Sequence, residues 1–277
     1  MATALLQQQI FQAIIDNNLT RLKNLASHPS FSVDIRDDNR KTPLMLACEH
    51  NQLDMVIWLL SRNPDVNAID KEGFSSLHYA AQSGSDAIAG LLLLNHAYIN
   101  QRDLDGYTPL HHAIMFKNVS VVKLLLTNKA LVNVAADEHK ITPLHCATQM
   151  NDGVAAQLLI EHGAALSARL TNGKTALELA AYLRAQQVID CLINNTLTTQ
   201  KEIDSIMIQR IVAVMFNCKE IYDLCLAKQN LDHHGGSNDE TEMIYIIQPL
   251  LAAFIAENPL YQTQLNPILS IFNSYKN

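Results

Sequence analysis

His78, His111 and His145 stand at matched places, 33 and 34 residues apart, and evenly spaced imidazoles raise the question of a metal site. Stacked helices lie roughly 8–10 Å apart, whereas a zinc ligand sits about 2 Å from its ion. Adjacent units are therefore expected to offer at best two distant ligands. A second group joins Cys218 and Cys225, seven residues apart on one helix face, to His233 and His234 in the polar loop that follows. Zinc frameworks favour about two to four residues between cysteine ligands, and here six intervene. A Cys–His nucleophile pair needs spatial adjacency, and cysteine often serves as a small buried hydrophobe. Core packing beside a solvated loop is the expectation for this group. The chain carries no Gly-rich phosphate loop, G-x-S-x-G elbow or H-E-x-x-H helix, the arrangements that cradle phosphate, expose a nucleophile or seat zinc. No catalytic residue, metal ligand or cofactor is assigned.

Composition narrows the function classes further. The 277 residues carry 20 Lys plus Arg against 27 Asp plus Glu, a formal net charge of −7, with no run of five like charges. Nucleic-acid binding needs a concentrated basic surface, so nucleic acid is not expected as a partner. Hydrophobic residues make up 48% and charged residues 17%, enough apolar material for a folded chain. The first residues, MATALLQQQIFQAII, lack the basic start and small-residue cleavage site of a secretory signal. The longest apolar stretch, residues 243–256, is interrupted by Gln248 and Pro249. It is short of the about 20 residues that span a bilayer and reads as a buried helix. Five cysteines at irregular spacing suit reduced thiols, and a cytoplasmic location is expected.

These residues must be positioned by repeated elements. Thr42-Pro43-Leu44, Ser75-Ser76-Leu77, Thr108-Pro109-Leu110, Thr142-Pro143-Leu144 and Thr175-Ala176-Leu177 recur at intervals of 33, 33, 34 and 33 residues. Each triplet leads into a short apolar-periodic segment with alanine at a fixed place: Ala47, Ala80, Ala113, Ala147 and Ala180. A second apolar segment follows, as in Val121-Val122-Lys123-Leu124-Leu125-Leu126. The pattern predicts two short helices per unit, joined by a turn and followed by an extended return. Threonine can cap the first helix, and proline suits its first turn, where no backbone donor is missed. The alanine lets that helix approach its neighbour, and the leucine stripe of the second fills the space between units. Gly73, Gly106 and Gly173 fall in the turn before the triplet, where a positive φ costs glycine least. Asn67, Asn100 and Asn133 are placed to satisfy turn backbone groups.

The period and the Thr-Pro-Leu-His-x-Ala pattern resemble the ankyrin repeat. Thr108 to Ala113 and Thr142 to Ala147 match it fully, and Leu77-His78-Tyr79-Ala80 matches its second half. The first repeat departs with Met45 and the fifth with Ala176 and Glu178. The resemblance implies an all-α ankyrin-repeat solenoid of helix–turn–helix units with short β-turn tips. Residues 1–36 read as a degenerate N-terminal capping repeat, with helices near residues 5–17 and 19–26. Residues 37–196 hold five repeats, and residues 197–277, where the period stops, read as a C-terminal helical bundle capping the array. The resemblance also implies that His78, His111 and His145 hydrogen-bond between neighbouring turns.

Ankyrin arrays meet partners on the turn tips and the exposed face of the first helices, a concave wall. Carried onto this chain, that face comprises Phe74, Leu104, Asp105, Tyr107, Met115, Phe116, His139, Ile141, Gln149 and Met150, centred on repeats two to four. Its apolar members occupy places where such arrays commonly carry polar side chains, and an exposed apolar patch marks an interaction site. Covering by neighbouring tips, or by the C-terminal bundle folding back, is the competing reading of the same residues. The expected function is a protein–protein interaction module that grips a protein or peptide, with oligomeric state open. The alternative is an enzyme, or a ubiquitin-ligase-type adaptor, whose activity lies in residues 197–277 while the array selects the substrate. Ankyrin proteins also occur as effectors that intracellular bacteria deliver into host cells; a short array with an unfamiliar helical tail is compatible with that origin, and would place the chain in host cytoplasm.

Overall fold

The computed structural model describes residues 2–183, 185, 187–189, 191 and 192. The chain divides into two units, of which the first comprises Met1–Ala180 and Ala185–Asn195; the architecture below is that of this unit. The expected bundle over residues 197–277, and with it Cys218, Cys225, His233 and His234, lies outside the described residues.

Helices start where the triplets place them. Inner helices α3 (Pro43–Glu49), α5 (Ser76–Ser83), α7 (Pro109–Met115) and α9 (Pro143–Gln149) follow N-caps Thr42, Ser75, Thr108 and Thr142, and α11 (Ala176–Leu183) opens the fifth repeat. Proline occupies the first turn of α3, α7 and α9, where its fixed φ preorganises the helix. Each inner helix is followed by an outer one: α4 (Leu53–Leu60), α6 (Asp86–Leu94), α8 (Val119–Thr127) and α10 (Gly153–Glu161). Before them come α1 (Ala2–Ile15) and α2 (Leu19–Leu25). No strand occurs among the described residues; isolated bridges at Ala136–Ile141 and Arg169–Thr175 are the whole of the β structure there. Nor is any described helix long and apolar enough to cross a membrane.

Packing follows the sequence pattern in two layers. The inner helices stack in order, α1 on α3, α3 on α5, α5 on α7 and α7 on α9, while α4, α6, α8 and α10 stack behind them. The fixed alanines, Ala47, Ala80, Ala113, Ala147 and Ala180, are fully buried, as are Leu59, Leu92, Leu125 and Leu159 of the outer layer. Burying one such leucine stabilises by about 1.5–3 kcal/mol. Substitution there removes contacts from two repeats at once, because each stripe lies between neighbours.

Polar ladders fix the register between repeats. Oδ1 of Asn67, Asn100 and Asn133 accepts the N–H of Tyr98, Leu131 and Ala165, one repeat further on, at 2.7, 2.8 and 2.8 Å. Successive tips are joined by backbone bonds: Lys71 N–H to Asn39 C=O at 3.0 Å, Leu104 to Glu72 at 2.9 Å, Asp137 to Asp105 at 2.7 Å and Thr171 to His139 at 3.1 Å. The tip turn is left-handed in all five repeats. Gly73, Gly106 and Gly173 supply it at φ near 83°, 84° and 81°, but Arg40 and Lys140 hold the same place at 64° and 58°.

Candidate functional site

Four of the tips are each braced by one carboxylate. Asp37, Asp70, Asp103 and Asp137 turn Oδ1 toward the N–H groups of their own loops, as in Asp70 accepting from Glu72 at 3.0 Å and Phe74 at 2.9 Å. Local carboxylate–backbone bonds of this kind give a turn its shape. In three of the four the second oxygen makes an anchoring bond. Asp70 Oδ2 accepts from the Tyr79 hydroxyl at 2.5 Å, Asp103 Oδ2 bonds His112 Nε2 at 2.8 Å, and Asp137 Oδ2 accepts from the Tyr107 hydroxyl of the preceding repeat at 2.7 Å. Burial, reinforced by the adjacent carboxylates, pushes the Tyr79 and Tyr107 hydroxyls above the usual phenol range. Burial also pushes the Asp103 carboxyl up, but the bonds from His112 and the Tyr107 N–H outweigh it and the net shift is downward.

This bracing sorts the ten residues expected on the binding face. Leu104 is 76% exposed at the third tip although its backbone is pinned to Glu72, and Phe116, the C-cap of α7, is 54% exposed. Asp105, His139 and Gln149 are exposed as well. Phe74, Tyr107, Met115, Ile141 and Met150 are half-buried. Five of the seven apolar members of the expected face are thus partly covered, and neighbouring side chains account for two of them. The Phe74 ring lies 4.9 Å from that of His112 and 5.6 Å from that of Tyr79, and the Tyr107 ring meets His111 edge-on at 5.4 Å. The face that remains open is two large apolar side chains on rigid backbone, flanked by polar tips.

The capping histidines were legible; their partners were not. Nδ1 of His78, His111 and His145 accepts the backbone N–H of the N-cap residue, and His78 Nε2 reaches the Tyr107 carbonyl of the next repeat at 3.2 Å. The inter-turn bond implied by the resemblance is thus made by His78. Nε2 of His111 and His145, facing the carbonyls of Ile141 and Lys174, completes no bond of good geometry. Burial holds His78 and His111 down to about 4, and His112 nearby lowers His78 further, while the carbonyl contacts oppose the shift; burial lowers His145 as well.

One expectation about metal ligands fails. Adjacent repeats bring together three donors, not two distant ones: His78, Asp103 and His112 are buried with donor atoms within 4.8 Å of one another. The signal missed was His112, the residue after the motif histidine, which turns to its own tip carboxylate. Hydrogen bonding nonetheless commits these atoms elsewhere. Ser75 N–H points at Nδ1 of His78, so the proton resides on Nε2, where it is donated to the Tyr107 carbonyl. A cation on Nε2 would require that nitrogen's lone pair and would leave the Ser75 N–H facing a second N–H. The cluster is therefore read as a brace between repeats two and three. Cys48 and Cys146 are buried thiols, and burial pushes Cys146 up to about 12 and Cys48 higher still, the opposite of an activated nucleophile.

Comparison with known proteins agrees with this architecture. The family described as ankyrin repeats (3 copies) matches residues 10–103 and 77–169, together more than half of the chain. Palmitoyltransferase ZDHHC13 of Homo sapiens is 32% identical over 181 residues, covering 65% of this chain and 29% of that protein. Inversin of Homo sapiens is 32% identical over 177 residues, 64% of this chain and 17% of that protein. The nuclear factor NF-kappa-B p105 subunit of Gallus gallus is 34% identical over 153 residues, 54% of this chain and 16% of that protein. The chain spans less than a third of the length of each. These relatives are vertebrate proteins and give no support to a bacterial origin.

Proposed function

This chain belongs to the ankyrin-repeat family, and on that footing we propose that its array is a protein-binding module whose contact face is centred on repeats two to four. Leu104 and Phe116 are the apolar anchors, with Asp105, His139 and Gln149 as polar surround and Phe74, Tyr107, Met115, Ile141 and Met150 as the half-buried floor. The observation that carries this reading is the exposure of Leu104 on a backbone tied to the preceding tip. A large apolar side chain held in water on rigid scaffolding loses little conformational freedom when a partner covers it. The partner is a folded protein or an extended peptide. The array acts by gripping, and the relatives' similarity to it concerns a minor part of their length, so the transferase activity in the name of one of them is not carried over.

Site-specific photo-crosslinking tests the assignment. A photoreactive residue at position 104 or 116 of the full chain is expected to capture a partner from cytosol, and one at position 57 or 94, exposed on the outer helices, is expected to capture far less of it. Equal capture from both layers, or capture from the outer layer alone, contradicts the placement.

A further inference from the structure

Three successive inner helices open on one device that the first repeat does without. In α5, α7 and α9 the buried imidazole of His78, His111 or His145 accepts the N-cap backbone N–H at 3.0, 3.1 and 3.3 Å, and Nδ1 lies 2.9, 2.9 and 2.8 Å from the N-cap hydroxyl. In the first repeat the same backbone donor, Thr42 N–H, is taken at 3.3 Å by the thioether of Met45, which has no proton to gain. In the fifth it is taken by the Glu178 carboxylate at 2.6 Å.

A proton added to Nδ1 converts the acceptor into a donor aimed at another donor and leaves an imidazolium in a buried site. The surroundings relieve that unevenly. His78 is faced by His112 and, beyond it, by Asp103 and Asp70; His111 is faced by His112 and Asp103; His145 meets the Lys174 carbonyl. We propose that the three histidine caps form an acid-sensitive latch, so that mild acidification opens repeats two to four ahead of repeat one. It rests on the binding reading only in its consequence: once those repeats open, the Leu104 and Phe116 face is lost.

The sign follows from the closed and open forms. The closed caps hold His78 and His111 down at about 4, whereas an opened imidazole titrates near 6.5. Stability is therefore whole above pH 6.5 and is lost progressively as pH falls toward 4. At pH 5 the linkage multiplies the opening of each such cap by roughly 30-fold.

Two buried thiols report on the two kinds of cap. Cys48 lies in α3, behind the Met45 cap, and Cys146 follows His145 in α9; both are fully buried. The full chain is labelled at pH 7.5 and pH 5.0 with an aromatic disulfide that reacts with thiols in acid. Rates are normalised to a free thiol peptide, and labelled sites are read by mass spectrometry. Cys146 labelling is expected to accelerate clearly on acidification, and Cys48 by far less. Methionine at all three cap positions, H78M/H111M/H145M, is expected to flatten the Cys146 response. If that variant does not fold, H145M alone is expected to diminish the acid response of Cys146. Equal acceleration at both thiols, or an undiminished acid response in the methionine variants, overturns the latch. The readout needs no partner, so it stands or falls separately from the binding face.

Discussion

The Tyr107 hydroxyl donates to Oδ2 of Asp137 at 2.7 Å, tying the tip of the third repeat to the fourth. Tyr107 is thus a brace as well as a member of the proposed face, and a truncation there disturbs the scaffold along with that face. Phe74, its counterpart one repeat earlier, has no hydroxyl and is packed instead against the His112 ring.

Removing the two tyrosine hydroxyls separates exposed from buried bracing. Tyr107→Phe is expected to cost about 1 kcal/mol, because Asp137 is half-buried and water can replace the lost donor. Tyr79→Phe is expected to cost roughly 2–3 kcal/mol, since Asp70 is only 3% exposed and its Oδ2 loses its partner. Urea midpoints of the two variants check the order, and equal costs would contradict it.

Two glycines with the same backbone twist should respond differently to alanine. Gly73 and Gly173 have φ of +83° and +81°, but a Cβ at Gly73 would meet Leu104 N at 2.8 Å while one at Gly173 meets nothing within 4 Å. Gly173→Ala is expected to lose about 1 kcal/mol from the left-handed backbone alone. Gly73→Ala is expected to lose clearly more and to shift the amide resonance of Leu104, the residue it would crowd.

The reverse substitution should stabilise. Lys129 holds a left-handed turn at φ 65° after α8, a conformation that strains an L side chain by roughly 1–2 kcal/mol. Glycine relieves that strain but gains freedom in the unfolded chain. Lys129→Gly is expected to raise stability by about 0.5 kcal/mol, read as a higher urea midpoint with an unchanged slope; a lower midpoint would contradict it.

The repeat was legible because its determinants are local. Thr42, Thr108 and Thr142 with the following prolines fix helix starts within a turn of themselves, and the apolar spacing around Ala47 or Ala113 selects the buried face without reference to distant residues. The two helices expected near residues 5–17 and 19–26 are found as Ala2–Ile15 and Leu19–Leu25. Exposure at the tips was harder to read. Whether Phe74 or Tyr107 is open depends on which side chain the next repeat sends toward it, and that is set by His112 and Asp137, not by their own neighbours in sequence. The His78–Asp103–His112 cluster escaped for the same reason: the three residues lie 25 and 9 positions apart and meet only when two repeats stack.

The central claim is tested most directly at Leu104 and Phe116, which are exposed and take part in no side-chain bracing described above. The partner captured by crosslinking is titrated calorimetrically against the full chain, L104A, F116A and the double variant, with urea midpoints measured alongside. Each single truncation is expected to weaken binding by about 2 kcal/mol, roughly 30-fold, with the midpoint nearly unchanged. Unchanged affinity in the double variant, with an unchanged midpoint, would show that the partner is held elsewhere.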